Sequence, residues 1–548
     1  MWDQTYPRPQ MRRESYLPLN GPWLLNGREI ILPFPPQATL SGYQGKITDS
    51  LCYERDFDVP AEWLQSGGRL LLHFGAVDQT AEVVLNGRTV ARHEGGYLPF
   101  EADITGDVRK SGNALRVMAR DALEHRFPYG KQSKRPKGMW YTPVSGIWQT
   151  VWLERVPERY MEGLTMIPDL NGITLTVKSA SEGFAEALVD GRRIQVPLNT
   201  PVYLKIDRPH LWRPEDPYLY PLSVTFGEDR VESYFALRTV EILPNGYGKP
   251  RICLNKEPVF LNGLLDQGYF PDGLFLPGDP AEYERDILRA RKMGFQTLRK
   301  HVKVEPEAFY YACDRLGMLV IQDMVNSGPY HYIHDTVLPN IGLKRSPPFF
   351  SGNPARKAFF ERHCQEEQEH LRNHPSVIGY TIFNEGWGQY DTMRFYRTLK
   401  ARDPSRFYIS ASGWFKGYET DVDSDHIYFR NTVLRQRERP LLLSECGGYT
   451  LNAAPSGDHR TYGYGVCETK EALTAKIERL YAEMVLPSIE RGLNGVIYTQ
   501  LTDVEGEING LYTYDRSVEK ALPDRLRALS ETCRSAFEKT NEKSDENV

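Results

Sequence analysis

Apolar positions over the first ~155 residues alternate with polar ones or gather in short runs, as β-strands with one or both faces buried do. LLLHFG (70–75), AEVVLNGRTVARHEG (81–95) and NALRVMARD (113–121) are the clearest. Asn86-Gly87 predicts a hairpin turn, since both residues tolerate positive φ. No long 3.6-residue period occurs, so residues 1–156 are expected to form a jelly-roll β-sandwich. Its last strand is the Trp-rich SGIWQTVWLERV (145–156). Residues 157–245 continue with short strands (GITLTVKSA, EALVDGRRIQV, LYPLSVTFG) and a second hairpin signal at Asp190-Gly191. This pattern predicts an immunoglobulin-like sandwich. LPNGYGKP (243–250) marks a boundary, followed by the hairpin RICLNKEPVFLNG.

Beyond ~258 the period changes to strand–helix–strand. A helix begins with Asp279 as N-cap, Pro280 at its first position and Glu282 completing a capping box; Tyr283, Ile287 and Ala290 share one face. Buried strands follow at TLRKH (297–301), LVIQDM (319–324), VIGYTIFNE (377–385), FYISAS (407–412), HIYF (426–429), LLLSE (441–445) and GVIYTQL (495–501). Helical patterns lie from about 306 and near 355–373, 469–490 and 517–537. With VFLNGLLD these make eight strands, most followed by a helix, so residues 246–548 predict a (β/α)₈ TIM barrel. The fold class is therefore multidomain, β followed by α/β. Two long connections, 325–354 and 446–468, carry many aromatics: Tyr330, Tyr332, Phe349 and Phe350 in one, Tyr449, Tyr462 and Tyr464 in the other. Both belong to the face where barrels keep their active sites. The polar tail FEKTNEKSDENV is expected to fray.

Composition adds limits. At 548 residues the chain exceeds one compact core. The net charge of −5 offers no basic face for nucleic acid. The cysteines at 52, 253, 313, 364, 446, 467 and 533 show no disulfide framework or zinc spacing, which suits reduced thiols in a cytoplasm. MWDQTYPRPQMRRESY has no apolar core of a signal peptide, and no run approaches the ~20 apolar residues of a membrane span. A cytoplasmic protein without membrane or nucleic-acid partners is expected.

Asp266, Arg299, His301, Asp323, Asn384, Glu385, Tyr428 and Glu445 sit at or near strand ends, which converge on one pocket in a barrel. A lone carboxylate there commonly serves a loop salt bridge. Glu385 and Glu445, however, end the fourth and seventh strands, on opposite sides. Glycoside cleavage requires one carboxylic acid to protonate the leaving oxygen and one carboxylate to attack the anomeric carbon or activate water. A separation of about 5 Å gives retention and roughly 6.5–9.5 Å inversion.

FNEGWG (383–388) resembles the Asn-Glu acid/base motif of glycoside hydrolase family 2, the family of β-galactosidases, β-glucuronidases and β-mannosidases. LLLSECGG (441–448) resembles its nucleophile strand and SGIWQTVWLE the end of its sugar-binding jelly roll. GFQTLRKH and CDRLGMLVIQD resemble its second and third barrel strands. The resemblance covers the whole chain. It implies a retaining exo-β-glycosidase with Glu385 as acid/base and Glu445 as nucleophile. It further implies that Asn384 meets the sugar 2-hydroxyl, and that Tyr428 and Arg299 hold Glu445; barrel-core packing is the alternative for the last two. His301, Asp266, Asp323, Trp387 and Trp414 are candidate subsite residues, the tryptophans either stacking on sugar or packing under the loops. Asp503 and Glu505 either bind hydroxyls or belong to a solvated loop. Many members of the family are homo-oligomers.

The chain departs from the family at several points. Arg299-Lys300-His301 brings its histidine one position early against Arg-x-x-His-x-Pro, Gln322-Asp323 is closer to the β-mannosidase branch, and Tyr498 replaces a frequent Trp. Glu507-Ile508-Asn509 stands where β-glucuronidases carry Asn-x-Lys, which argues against a uronic acid unless Lys300 or Lys303 supplies the cation. The magnesium ligands of large β-galactosidases have no counterpart, so no cofactor or catalytic metal is expected. A β-galactosidase-like hydrolase of terminal β-linked sugars is the leading expectation. β-Mannosidase or β-glucuronidase activity, transglycosylation by the same pair, and a non-catalytic carbohydrate-binding protein on the same scaffold are the alternatives.

Overall fold

The computed structural model describes residues 2–331, 333, 335, 338, 353–414, 419–453 and 462–541. Tyr332, Phe349, Phe350 and the end of the polar tail lie outside the described residues.

Two antiparallel sheets form the N-terminal sandwich. One orders Tyr16–Pro18, Val151–Val156, Arg69–Phe74 and Phe100–Asp103; the other is six-stranded around Ser50–Phe57 and Asn113–Arg120. Asn113–Arg120 alternates buried and exposed along its length, burying Leu115, Val117 and Ala119 against Leu72, Phe74 and Val83 of the shared core. Asn86 (φ 52°) and Gly87 (φ 88°) make the expected hairpin turn. The Trp-rich segment is two pieces, not one strand. Gly146–Ile147 pairs with Val77–Asp78, and the chain then changes sheet before Val151–Val156.

The second sandwich packs a three-stranded sheet (Gly163–Pro168, Gly172–Lys178, Val202–Lys205) on a four-stranded one (Phe184–Val189, Arg192–Pro197, Tyr220–Phe226, Asp229–Phe235). Asp190 and Gly191 turn its hairpin with φ of 49° and 72°. Arg13 holds the two sandwiches together, donating to both Asp229 oxygens (2.8 and 2.9 Å) and to Glu154 (3.2 Å).

The barrel strands are β1 (Leu261–Asp266), β2 (Thr297–Lys300), β3 (Leu319–Asp323), β4 (Val377–Asn384), β5 (Phe407–Ser412), β6 (Asp423–Ile427), β7 (Leu441–Gly447) and β8 (Leu493–Thr499). They form one parallel sheet in the order β5-β4-β3-β2-β1-β8-β7-β6. The Asp421 amide bonds the Tyr408 carbonyl (3.0 Å) where β5 and β6 meet. All strands except β6 are buried on both faces, hence their unbroken apolar runs.

Three boundaries differ from expectation. Helix α1 (Ala281–Lys292) has Pro280 at the cap position, so Asp279 lies one residue further out. The Asp279 carboxylate still accepts from the Ala281 amide (3.3 Å), while Glu282 pairs with Arg285 and Arg289 instead of closing a capping box. Strand β6 begins at Asp423, three residues before the alternation suggested. Helix α2 (Pro523–Lys539) starts at a proline, not near 517, because the preceding loop is folded around Lys520. Lys520 donates to Asp503 (2.6 Å) and to the Ile508 carbonyl (2.9 Å).

The segment around 127–144 leaves the first sandwich and lies on the barrel mouth. Tyr129 bonds the carbonyls of Asn326 through its amide (3.1 Å) and of Gly328 through its hydroxyl (2.8 Å). The Thr142 amide reaches Glu505 (2.9 Å). Tyr97, Tyr141, Val144 and Trp148 belong to the same apolar core as the barrel.

Candidate active site

β2 delivers Arg299 to the barrel axis with no exposure. A guanidinium has only donors, arranged as a rigid fork. Nε donates to Asp323 of β3 (2.9 Å), and Nη2 to Asn384 Oδ1 of β4 (2.8 Å) and Ser412 Oγ of β5 (3.0 Å). Nη1 donates to Glu445 Oε1 of β7 (2.9 Å) and the Ser444 carbonyl (3.1 Å), and lies 3.2 Å from His426 Nε2 of β6. One side chain thus ties six strands together. Burial opposes its charge, but Asp323 and Glu445 outweigh it and raise the Arg299 pKa.

Glu445 is buried, and its second oxygen accepts from the Tyr428 hydroxyl. Both of its oxygens therefore act as acceptors. Burial and Glu445 together raise the Tyr428 pKa well above the phenol value, so the hydroxyl stays a donor. Its ring stacks on Tyr464 with centroids 4.1 Å apart.

Glu385 follows β4 in the left-handed region (φ 52°), its amide bonded to the Ser412 carbonyl (3.1 Å). That turn sends its carboxyl across the pocket, where Oε1 meets His426 Nδ1 at 2.8 Å. Burial lifts its pKa to about 7, against the pull of Lys131, His301 and Arg299. Glu385, Glu445 and His426 bring their donor atoms within 4.8 Å of one another. Two carboxylates at that distance, one with donors on both oxygens and one whose pKa burial raises, can act as nucleophile and acid.

Asn384, Glu385, Tyr428, Glu445, His301 and Trp387 line one pocket, with Tyr330, Tyr462 and Tyr464 from the long connections. Asn384 Oδ1 is taken by Arg299 and Ser412 (2.8 Å each), which leaves its NH₂ for a ligand. His301 Nδ1 lies 2.7 Å from Asp323 Oδ2, which leaves Nε2 to face the pocket. Burial keeps this ring's pKa below the usual histidine value.

Four expected subsite residues stand elsewhere. Asp323 is fully buried beneath Arg299 and His301. Asp266 is taken by Lys300 (2.6 Å) and the Gly268 amide (2.9 Å). Trp414 donates to the Asp335 carbonyl (3.1 Å) and packs edge-on to His426 at 5.6 Å. Asp503 does not lie in a solvated loop: it is buried against Lys520, and burial lifts its pKa to about 6. Lys300 and Lys303 both turn to Glu305 (2.9 Å each).

Among the described residues the cation on the pocket wall is Lys131, carried in by the first sandwich, with Met139 beside it. Glu507 lines the pocket too, accepting from Tyr141 and from Asn509 Nδ2 (3.0 Å). His426, Lys131 and Glu507 were not assigned to the site from sequence. A signal existed for His426, which is two residues before Tyr428 and so on the same strand face. None existed for Lys131.

Fold and site together define a barrel protein with two sandwiches and a two-carboxylate pocket. The model for the sugar binding domain of glycosyl hydrolases family 2 matches residues 40–157, that for glycosyl hydrolases family 2 matches 171–238, and that for the family's TIM barrel domain matches 279–463. The chain belongs to glycoside hydrolase family 2. It is similar to a β-galactosidase of Aeromonas hydrophila subsp. hydrophila, 28% identical over 65% of this chain and 35% of that one. It is also similar to a β-glucuronidase of Rattus norvegicus, 27% identical over 68% of this chain and 60% of that one. The matches thus span about a third to three fifths of these curated relatives. Among solved structures, a β-glucuronidase of Dictyoglomus thermophilum superposes with a TM-score of 0.76 at 19% identity, over 96% of this chain and 98% of that one. A β-galacturonidase of Eisenbergiella tayi gives 0.71 at 18%, over 98% and 99%. At such identity the likeness is one of fold.

Proposed function

We propose that the chain is a retaining exo-β-glycosidase acting by double displacement, with Glu385 as acid/base and Glu445 as nucleophile. One observation carries the reading: Glu385, lifted to about 7 by burial, faces within 4.8 Å a second carboxylate that Arg299 and Tyr428 hold as an acceptor. Protonated Glu385 gives its proton to the glycosidic oxygen as Glu445 attacks the anomeric carbon. The leaving alcohol departs and a glycosyl ester remains. Ionised Glu385 then takes a proton from water, which attacks the same carbon and releases Glu445. The Asn384 amide donates to the sugar 2-hydroxyl.

For the sugar, two readings rest on different observations. A β-galactoside follows the names of several curated relatives. A uronide follows Lys131, a cation where a sugar carboxylate could find its counter-charge. A panel of nitrophenyl β-galactoside, β-glucuronide, β-galacturonide and β-mannoside tests both, with Glu385→Ala, Glu445→Ala and Lys131→Met beside wild type. Under the uronide reading Lys131→Met lowers kcat/KM on uronides about tenfold or more and spares neutral glycosides. Wild-type protein that binds oligosaccharides and turns over none of the panel would sink the enzyme reading in favour of a carbohydrate-binding protein.

A further inference from the structure

We infer that His426 is the residue that positions the acid/base: held as its neutral Nδ1–H tautomer, it donates to Oε1 of Glu385 and leaves Oε2 to carry the proton that is transferred. The inference rests on the reading of Glu385 as acid/base.

The tautomer follows from what surrounds the ring. The His426 side chain has no exposure, and its Nε2 lies 3.2 Å from Arg299 Nη1. Arginine cannot accept, so this contact is attractive only with a lone pair on Nε2, which then shares the Nη1 hydrogens with Glu445 and Ser444. The one ring hydrogen then sits on Nδ1, 2.8 Å from Glu385 Oε1. The groups facing the imidazole are Arg299 of β2, His301 just after it, Asp323 of β3, Glu385 just after β4 and Glu445 of β7, its Oε1 3.6 Å from Nε2. Burial dominates over these charges and keeps the ring neutral.

The surrounding backbone is shaped to admit this ring. Gly413, at φ 76°, leaves room that a side chain would fill, since a Cβ there would come 2.8 Å from Nδ1. The β6–β7 register slips between Asp425 and His426, which sets His426 opposite Glu445. Trp414 packs its edge on the outer side of the ring.

The chemical consequence is directional. While Glu385 is protonated, Oε1 is already an acceptor, so the proton resides on Oε2. When the proton leaves, the same N–H meets a carboxylate and the bond becomes charge-assisted, which favours the ionised form. His426 therefore eases proton release without itself changing charge.

Full-length wild type, His426→Leu and His426→Asn are compared on two glycosides of one sugar, with phenol and 2,4-dinitrophenol as leaving groups. The leucine variant is expected to lose about 100-fold in kcat/KM on the phenyl glycoside and less than about 10-fold on the dinitrophenyl one, whose leaving group needs no proton. Its alkaline limb should move to higher pH, because a donor to the ionised form is gone. Asparagine, with an amide N–H near the place of Nδ1–H, should restore most of both. Equal losses on the two substrates with an unmoved limb overturn the proposal, even where Glu385→Ala still behaves as an acid/base variant. Histidine-selective ¹⁵N spectra, with the His426→Asn difference assigning the ring, test the tautomer without turnover. Nδ1–H held between about pH 5 and 8 supports the proposal, and an Nε2–H ring or an imidazolium in that range overturns it.

Discussion

Arg299 works through geometry more than through charge. Its fork fits Asp323, Asn384, Ser412 and Glu445 at once, with distances between 2.8 and 3.0 Å. Lysine keeps the charge but has no planar fork. Arg299→Lys is therefore expected to cut kcat by about 10²-fold or more with a smaller change in KM, since the nucleophile and Asn384 both lose their alignment; steady-state kinetics check this. In the proposed mechanism Glu385 sets the pH dependence: its carboxyl must be protonated to start the reaction, and burial has raised its pKa to about 7. kcat/KM should accordingly fall as pH rises through about 7, and a profile still flat at pH 9, roughly two units above, would contradict that assignment.

At the scale of elements, the barrel's strand ends decide what reaches the pocket, and the glycine after β5 shows how closely. Gly413→Ala places a Cβ against His426 and forces a left-handed alanine, at a cost of about 1–2 kcal/mol. Activity should fall more than that stability loss suggests, because the imidazole moves with Glu385; thermal melting beside kinetics separates the two. Periodicity made β1 to β5, β7 and β8 readable, since apolar runs ending in polar residues mark buried parallel strands. It misplaced β6 because Asp423, Asp425 and Ile427 are only half-buried, so their pattern resembles a loop. Helix α2 was placed too early for a related reason: nothing local announces that Lys520 will be swallowed by Asp503 and Ile508.

At the scale of the molecule, the first sandwich helps to build the candidate pocket. It contributes Lys131 and Met139 to the pocket and Tyr141 to Glu507, and its aromatic residues share the barrel's apolar core. Arg13 locks that sandwich to the second one. Arg13→Ala leaves buried Asp229 without its cation, while Glu154 keeps Arg8, and should destabilise the chain by about 3–5 kcal/mol in urea unfolding. Among the described residues no helix is long and apolar enough to cross a membrane, and no cysteine is paired.

The sequence by itself determined the three layers of architecture and the two glutamates. Strand and helix periods are local, and it was the family motifs around Glu385 and Glu445 that set them apart from Asp266 and Asp323, which also end buried strands. It also carried Asn384, Arg299 and Tyr428 through their motifs. Only the tertiary structure decided that Asp266, Asp323 and Asp503 turn into ion pairs, that Lys300 and Lys303 face Glu305, that Lys131 lines the pocket and that His426 meets Glu385. The reason is physical. Which partner a buried charge takes depends on side chains brought together by packing, here from 2 to 41 positions apart with no shared period, and the partner decides whether that charge holds the fold together or meets a substrate.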